Sequence, residues 1–174
     1  LLTSNGHLEE EIAKIQASQK YRQPAQLFWN HGAGFSVVPP DRAGSELFKP
    51  IAGRGSACAD LDGDGDLDVV LAQVNGAPLL LRNDQSLGHH FLRLKLVGTK
   101  GNRDAIGAKV GLVTDSGTFL RVVSSASGYL AGDPSHIHFG FPVGADLDRL
   151  EIQWPDGAMS VVENVKPDTL VKML

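Results

Sequence analysis

The stretch Asp60-Leu61-Asp62-Gly63-Asp64-Gly65-Asp66-Leu67-Asp68 constrains this chain more than any other. It sets five carboxylates at alternate positions within nine residues, with glycines at 63 and 65. Like charges this close disfavour folding unless a positive charge sits among them. Hard divalent cations take oxygen ligands, and Ca²⁺ takes roughly six to eight of them at about 2.3–2.6 Å. Alternate residues of a tight loop can turn their side chains to one centre, and glycine permits the backbone conformations this needs. The stretch therefore predicts a calcium site.

One competing reading fails and a magnesium site is the weaker alternative. An EF-hand loop opening at Asp60 needs a bidentate Glu at its twelfth position, which here is Leu71. Magnesium dehydrates reluctantly and rarely uses an all-protein cage. The residues themselves leave Asp60, Asp62, Asp64 and Asp68 as side-chain ligands, with the backbone carbonyl of Asp66 as a fifth.

The formal net charge is −4, and the loop alone carries −5, so the remainder is close to balanced. No basic stripe interleaved with aromatics appears, which argues against a nucleic-acid partner. The lone cysteine, Cys58, excludes an intrachain disulfide. Its apolar surroundings, Ser56 to Ala59, predict a small buried core residue. No apolar run reaches the roughly 18 residues of a membrane span. The chain opens Leu1-Leu2-Thr3 without a methionine, which is expected of a piece of a longer protein.

The rest reads as short strands and turns. Leu8 to Ser18 suits a short helix with Leu8, Ile12 and Ile15 on one face. Gln26 to Asn30 and Phe35 to Pro39 flank His31-Gly32-Ala33-Gly34, a hairpin signal. Gly55 to Ala59 leads into the acidic loop and Asp68 to Gln73 leaves it. Asn75-Gly76 then turns the chain into Pro78 to Arg82. Beyond Asn83–His90 come seven further strands, near Phe91–Val97, Ala108–Thr114, Thr118–Ser124, His136–Phe139, Leu147–Trp154, Met159–Val162 and Thr169–Met173. Strands spaced this way without helices predict an all-β fold, with an antiparallel sandwich or barrel in the second half.

The stretch GRGSACADLDGDGDLDVVLAQVNG resembles the FG-GAP/VCBS repeat, the blade unit of integrin-type β-propellers. In that repeat a D-x-D-G-D-G-x-x-D loop joins the first two strands. The resemblance implies calcium ligands at Asp60, Asp62, Asp64, Asp66 and Asp68. YRQPAQLFWNHGAGF looks like the outer strands of a preceding blade, but Asn30 to Phe35 lacks the Asp such turns usually carry, so no metal is assigned there. The second half resembles an ASPIC/UnbV domain, the module that follows FG-GAP repeats in the cartilage acidic protein family. It does so through VGTKGNRDAIGAKV (97–110), GYL (128–130), DPSHIHFG (133–140) and LEIQWPDG (150–157), although Phe139-Gly140-Phe141-Pro142 departs from the usual F-G-L-G. Together these imply residues 1–86 as the end of an FG-GAP/VCBS propeller and residues 87–174 as an ASPIC/UnbV β-sandwich-like domain.

Blade counts of roughly four to eight imply that earlier blades are missing and that the strands of the first half expose unpaired edges. Those edges are expected to meet a protein partner or a neighbouring copy. His136 and His138 share a strand face and are expected to be structural. Arg103 and Asp104 are expected to brace their loop by a charge-assisted hydrogen bond, and Trp154 to pack in the core. No nucleophile elbow, Walker loop or dinucleotide fingerprint occurs, so no catalytic or cofactor-binding residue is assigned. The leading expectation is a calcium-binding, secreted or cell-surface interaction or adhesion module without catalysis. The alternatives are a subunit of a polymeric surface assembly joined by strand addition, or an accessory part of an enzyme acting on glycans or a small molecule.

Overall fold

The computed structural model describes residues 1–85, 87–126, 128, 131–132 and 136–174. Tyr129, Leu130, Asp133, Pro134 and Ser135 of the family motifs lie outside the described residues, as does Ser86 beside the expected boundary. The chain divides into two compact units. One comprises Leu1–Cys58 and Asp68–Asn83 with the described part of 127–132. The other comprises Ala59–Leu67, Asp84–Ala126 and the described part of 133–174.

In the first unit, β1 (Leu2–Thr3), β2 (Gln26–Asn30) and β3 (Phe35–Val37) form one sheet, and β4 (Gly53–Ala59), β5 (Asp68–Gln73) and β6 (Leu79–Leu81) form another. The β2–β3 hairpin turns where the sequence places it. Gly32 adopts φ +85° and donates its N–H to Asn30 Oδ1 at 3.0 Å. Asn75, at φ +54°, sits in the β5–β6 turn. The described residues of 25–85 do not make one closed sheet. Both sheets are three-stranded and open, and Trp29, Phe35, Val37 and Leu80 face solvent.

Two expectations are corrected here. The helix near Leu8–Ser18 shrinks to one turn, α1 (Ile12–Ile15), in which Ile12 is buried while Leu8 and Ile15 stay exposed. A three-residue apolar face is too little to hold a longer helix, because short helices owe their stability to packing. Cys58 is exposed rather than buried. Along β4 the buried residues are Gly53 and Gly55, and Cys58 falls on the opposite parity with Arg54 and Ser56.

In the second unit, β7 (His90–Leu96) is flanked by β10 (His136–Phe141), antiparallel, and β13 (Thr169–Met173), parallel. The other sheet runs β12 (Met159–Glu163), β11 (Leu147–Gln153), β8 (Lys109–Thr114), β9 (Gly117–Val122), with every neighbour antiparallel. Each strand lies within two residues of its expected bounds. The parallel pair departs from an all-antiparallel fold. It lets Val171 and Met173 cover the core, and Asp168 docks the strand by donating its N–H to Phe91 O at 2.7 Å.

Both sheets turn alternate residues into one core: Leu92, Leu94, Leu96, Val110, Leu112, Ile137, Phe139, Phe141, Leu150 and Ile152. Trp154 packs at its margin, its indole N–H on Ser160 Oγ at 2.9 Å. The loop after β7 is braced differently from expectation. Arg103 and Asp104 are exposed, and the Asn102 amide instead bonds both the carbonyl and the N–H of Ile106, at 2.7 and 3.2 Å. An amide carries both donor and acceptor, so one side chain closes the turn without desolvating a charge. Among the described residues no helix is long and apolar enough to cross a membrane.

Candidate metal centre

The acidic stretch curls because its own carboxylates capture its backbone. Asp60 Oδ1 accepts the Gly63 N–H at 2.7 Å and Oδ2 accepts the Gly65 N–H at 3.2 Å. Asp62 Oδ1 accepts from Asp64 N at 3.3 Å, and Asp64 Oδ1 from Asp66 N at 2.9 Å. Such local side-chain bonds are what Asp offers a turn. Gly65 at φ +99° occupies backbone space that other residues enter at a cost.

The curl draws Asp60, Asp62 and Asp64 together, with one ligand oxygen of each within 4.8 Å of the others. Two oxygens on opposite sides of one Ca²⁺ stand about 5 Å apart, so this spacing fits a single ion. An all-oxygen donor set also suits a hard cation over a soft one. Asp66 and Asp68 are not in this group. Asp66 Oδ1 accepts from Gln85 Nε2 at 2.8 Å. Asp68 is buried at the start of β5, and its Oδ1 accepts the Asn83 N–H at 2.9 Å.

Residues Ala59–Leu67 belong to the second unit, and two side chains of β7 hold them there. Since Leu92, Leu94 and Leu96 enter the core, Phe91, Arg93 and Lys95 take the outer face. Arg93 Nη1 donates to Asp60 Oδ2 at 2.8 Å, and the Asp60 side chain is only 1% exposed. One positive charge thus already sits against the carboxylate cluster. Phe91 lies beneath Gly65, and the His138 ring stacks on Phe91 at 6.1 Å with an interplanar angle of 5°. Sequence reasoning missed both Arg93 and Phe91. The alternation of β7 marked them as outward, but nothing local marked what they meet.

His136 and His138 do share one face of β10, opposite Ile137 and Phe139. Burial holds the His138 imidazole below its ordinary pKa, with Arg93 and Arg121 acting the same way and Asp60 and Asp66 opposing. His136 is lowered too, by burial and then by Lys95 and Arg93. A lowered folded-state pKa means that the unfolded chain binds the proton more readily. Their contribution is therefore intact above the ordinary value of 6.5 and is lost as pH falls below it. Melting in chelator should drop in temperature from pH 7 to 5, and an H136Q/H138Q variant should show a flatter profile. An unchanged slope in that variant would assign the pH response to other groups.

Residues 98–173 match the family described as ASPIC and UnbV. That segment takes in β8 to β13, while β7, with Phe91 and Arg93, lies just before it. Cartilage acidic protein 1 of Xenopus tropicalis is 41% identical over 110 residues, which is 60% of this chain and 16% of that protein. Cartilage acidic protein 1 of Mus musculus is 38% identical over 131 residues, 72% of this chain and 20% of the relative. The Homo sapiens protein of the same name is also 38% identical over 131 residues, covering 19% of its length. The mammalian alignments therefore extend beyond the ASPIC and UnbV segment. The chain spans about a fifth or less of the length of the curated relatives it matches.

Proposed function

We propose that this chain is a calcium-stabilised, secreted interaction module without catalytic activity of its own. In this reading residues 1–86 are the end of an FG-GAP propeller and residues 87–174 the ASPIC/UnbV domain. The observation that carries it is the convergence of Asp60, Asp62 and Asp64 within 4.8 Å on a loop already curled by their own hydrogen bonds. Asp66 and Asp68 join as ligands through the FG-GAP likeness. Bound calcium would neutralise the carboxylates and hold the curl. The name cartilage acidic protein supports an extracellular setting, where a site with a dissociation constant of about 10⁻⁴–10⁻³ M is useful. The open sheets of the first unit supply edges for a protein partner or a second copy.

Thermal melting in chelator, then after calcium add-back, tests the reading. A ligand at about a hundredfold over its dissociation constant contributes about 2.7 kcal/mol. For a chain of this size that is a rise of roughly 5–10 °C. Magnesium should restore less, and Asp60→Asn should abolish most of the shift. Identical melting with and without chelator would remove calcium from the account.

A further inference from the structure

The outer face of sheet β10-β7-β13 carries a second row beside Arg93. Lys95 of β7 is in register with His136 of β10 on one side and with Lys172 of β13 on the other. Lys95 alternates with buried Leu94 and Leu96, and His136 precedes buried Ile137. Lys172 sits between Val171 and Met173, which pack on the core. All three basic groups therefore leave the same face, with about 4.8 Å from strand to strand. Within this row Lys95 and Lys172 are like charges directly opposite one another, an arrangement that weakens a sheet.

A cleft of about 380 Å³ opens here, lined by Lys95, Val97, Arg103, Asp104 and Lys172. Its volume falls in the range of about 300–1,000 Å³ usual for small-molecule sites. Among the described residues, neither Lys172 nor Arg103 has an ion-pair partner. The chain as a whole carries −4, so this positive concentration runs against its average charge. Positions 95 and 172 are far apart in the sequence, and the pairing of β13 with β7 brings them together.

We infer that this cleft binds a sulfate or phosphate ester group. Lys95 and Lys172 supply ammonium donors from neighbouring strands, and Arg103 supplies a planar fork suited to a tetrahedral oxyanion. Asp104 also lines the cleft; its carboxylate would accept from a hydroxyl beside the ester, which favours an ester of a hydroxyl-rich molecule. This inference does not rest on calcium.

Calorimetric titration of the chain in low-salt chloride buffer tests it, with inorganic sulfate, inorganic phosphate and a sulfated heparin hexasaccharide as probes. Saturable binding is expected, weakened at least about tenfold in K95Q/K172Q. K109Q, altered on the other sheet, should bind as wild type. Hexasaccharide binding much tighter than inorganic sulfate would identify a sulfated glycan as the source, whereas preference for phosphate would identify a phosphate ester. The single variant K172Q should also bind more weakly than wild type, and because it removes one of two opposed like charges it should melt no lower than wild type without anion, so its weaker binding is not loss of fold. Either of two results overturns the inference: no saturable binding of any probe, or equal binding by K95Q/K172Q.

Discussion

Gly65→Ala is expected to lower the melting temperature of the second unit by roughly 5–15 °C and to blunt the response to calcium. Two independent faults add. Gly65 holds φ +99°, in the left-handed region that costs an L-residue about 1–2 kcal/mol. A methyl group there would also stand within 2.8 Å of three carbons of the Phe91 ring, and overpacking of this kind costs about 1–3 kcal/mol. Phe91 cannot easily yield. Its ring stacks on His138, its N–H donates to Asp168 Oδ1 at 3.1 Å, and its carbonyl accepts the Asp168 N–H. Gly63→Ala separates the faults, because Gly63 has φ +85° but no atom within 4 Å of an added methyl. It should therefore lose only the backbone share. Phe91→Ala in the Gly65→Ala background should recover part of the loss, a coupling of at least about 1 kcal/mol. Equal melting of Gly63→Ala and Gly65→Ala would mean that the loop does not rest on Phe91.

The second unit was legible because its strands obey a local rule. In β7, Leu92, Leu94 and Leu96 alternate with Arg93 and Lys95, and a two-residue period reports burial on one face without knowledge of the partner. Turn residues such as Asp115-Ser116-Gly117 and Pro155-Asp156-Gly157 then set the strand ends. The parallel pairing of β13 with β7 was not legible, since it depends on Asp168 reaching Phe91 across 77 residues. The failures in the first unit share that cause. The face of Leu8, Ile12 and Ile15 matched a helix period, but only Ile12 found something to pack against. The apolar run around Cys58 suggested burial, and strand parity decided otherwise.

The candidate metal centre divides the same way. Asp60, Asp62 and Asp64 converge through bonds spanning two to five residues, which spacing in the chain can foretell. Asp68 is fixed by Asn83, fifteen residues on, and Asp60 by Arg93, thirty-three residues on. Charge counting asked for a cation among the carboxylates, and the fold places a guanidinium against Asp60. Arg93 is thus a counter-charge that the density of Asp residues implied but could not locate.

Phe139→Ala is the second large effect, and it tests the core rather than the loop. Phe139 is 1% exposed among residues of both sheets of the second unit, and the Arg121 guanidinium lies 5.7 Å from its ring centroid. Emptying such a site costs about 3–5 kcal/mol, and losing the cation–π contact adds about 0.5–1 kcal/mol. Denaturant unfolding should show the midpoint falling without a large change in slope. The neighbouring His138 faces the acidic loop, whereas Phe139 faces the core. The cost of Phe139→Ala should therefore be the same in calcium and in chelator to within about 0.5 kcal/mol, as expected of separate sites. Gly65→Ala should instead cost more in calcium if the proposed site is filled, because it disturbs the curl that gathers Asp60, Asp62 and Asp64. Phe35→Ala, at an exposed position of β3, should stay within about 0.5 kcal/mol of wild type. A cost for Phe139→Ala below about 1 kcal/mol would show that the two sheets do not share one packed core. A calcium-dependent cost would show that loop and core are coupled through β10, the strand that carries both His138 and Phe139.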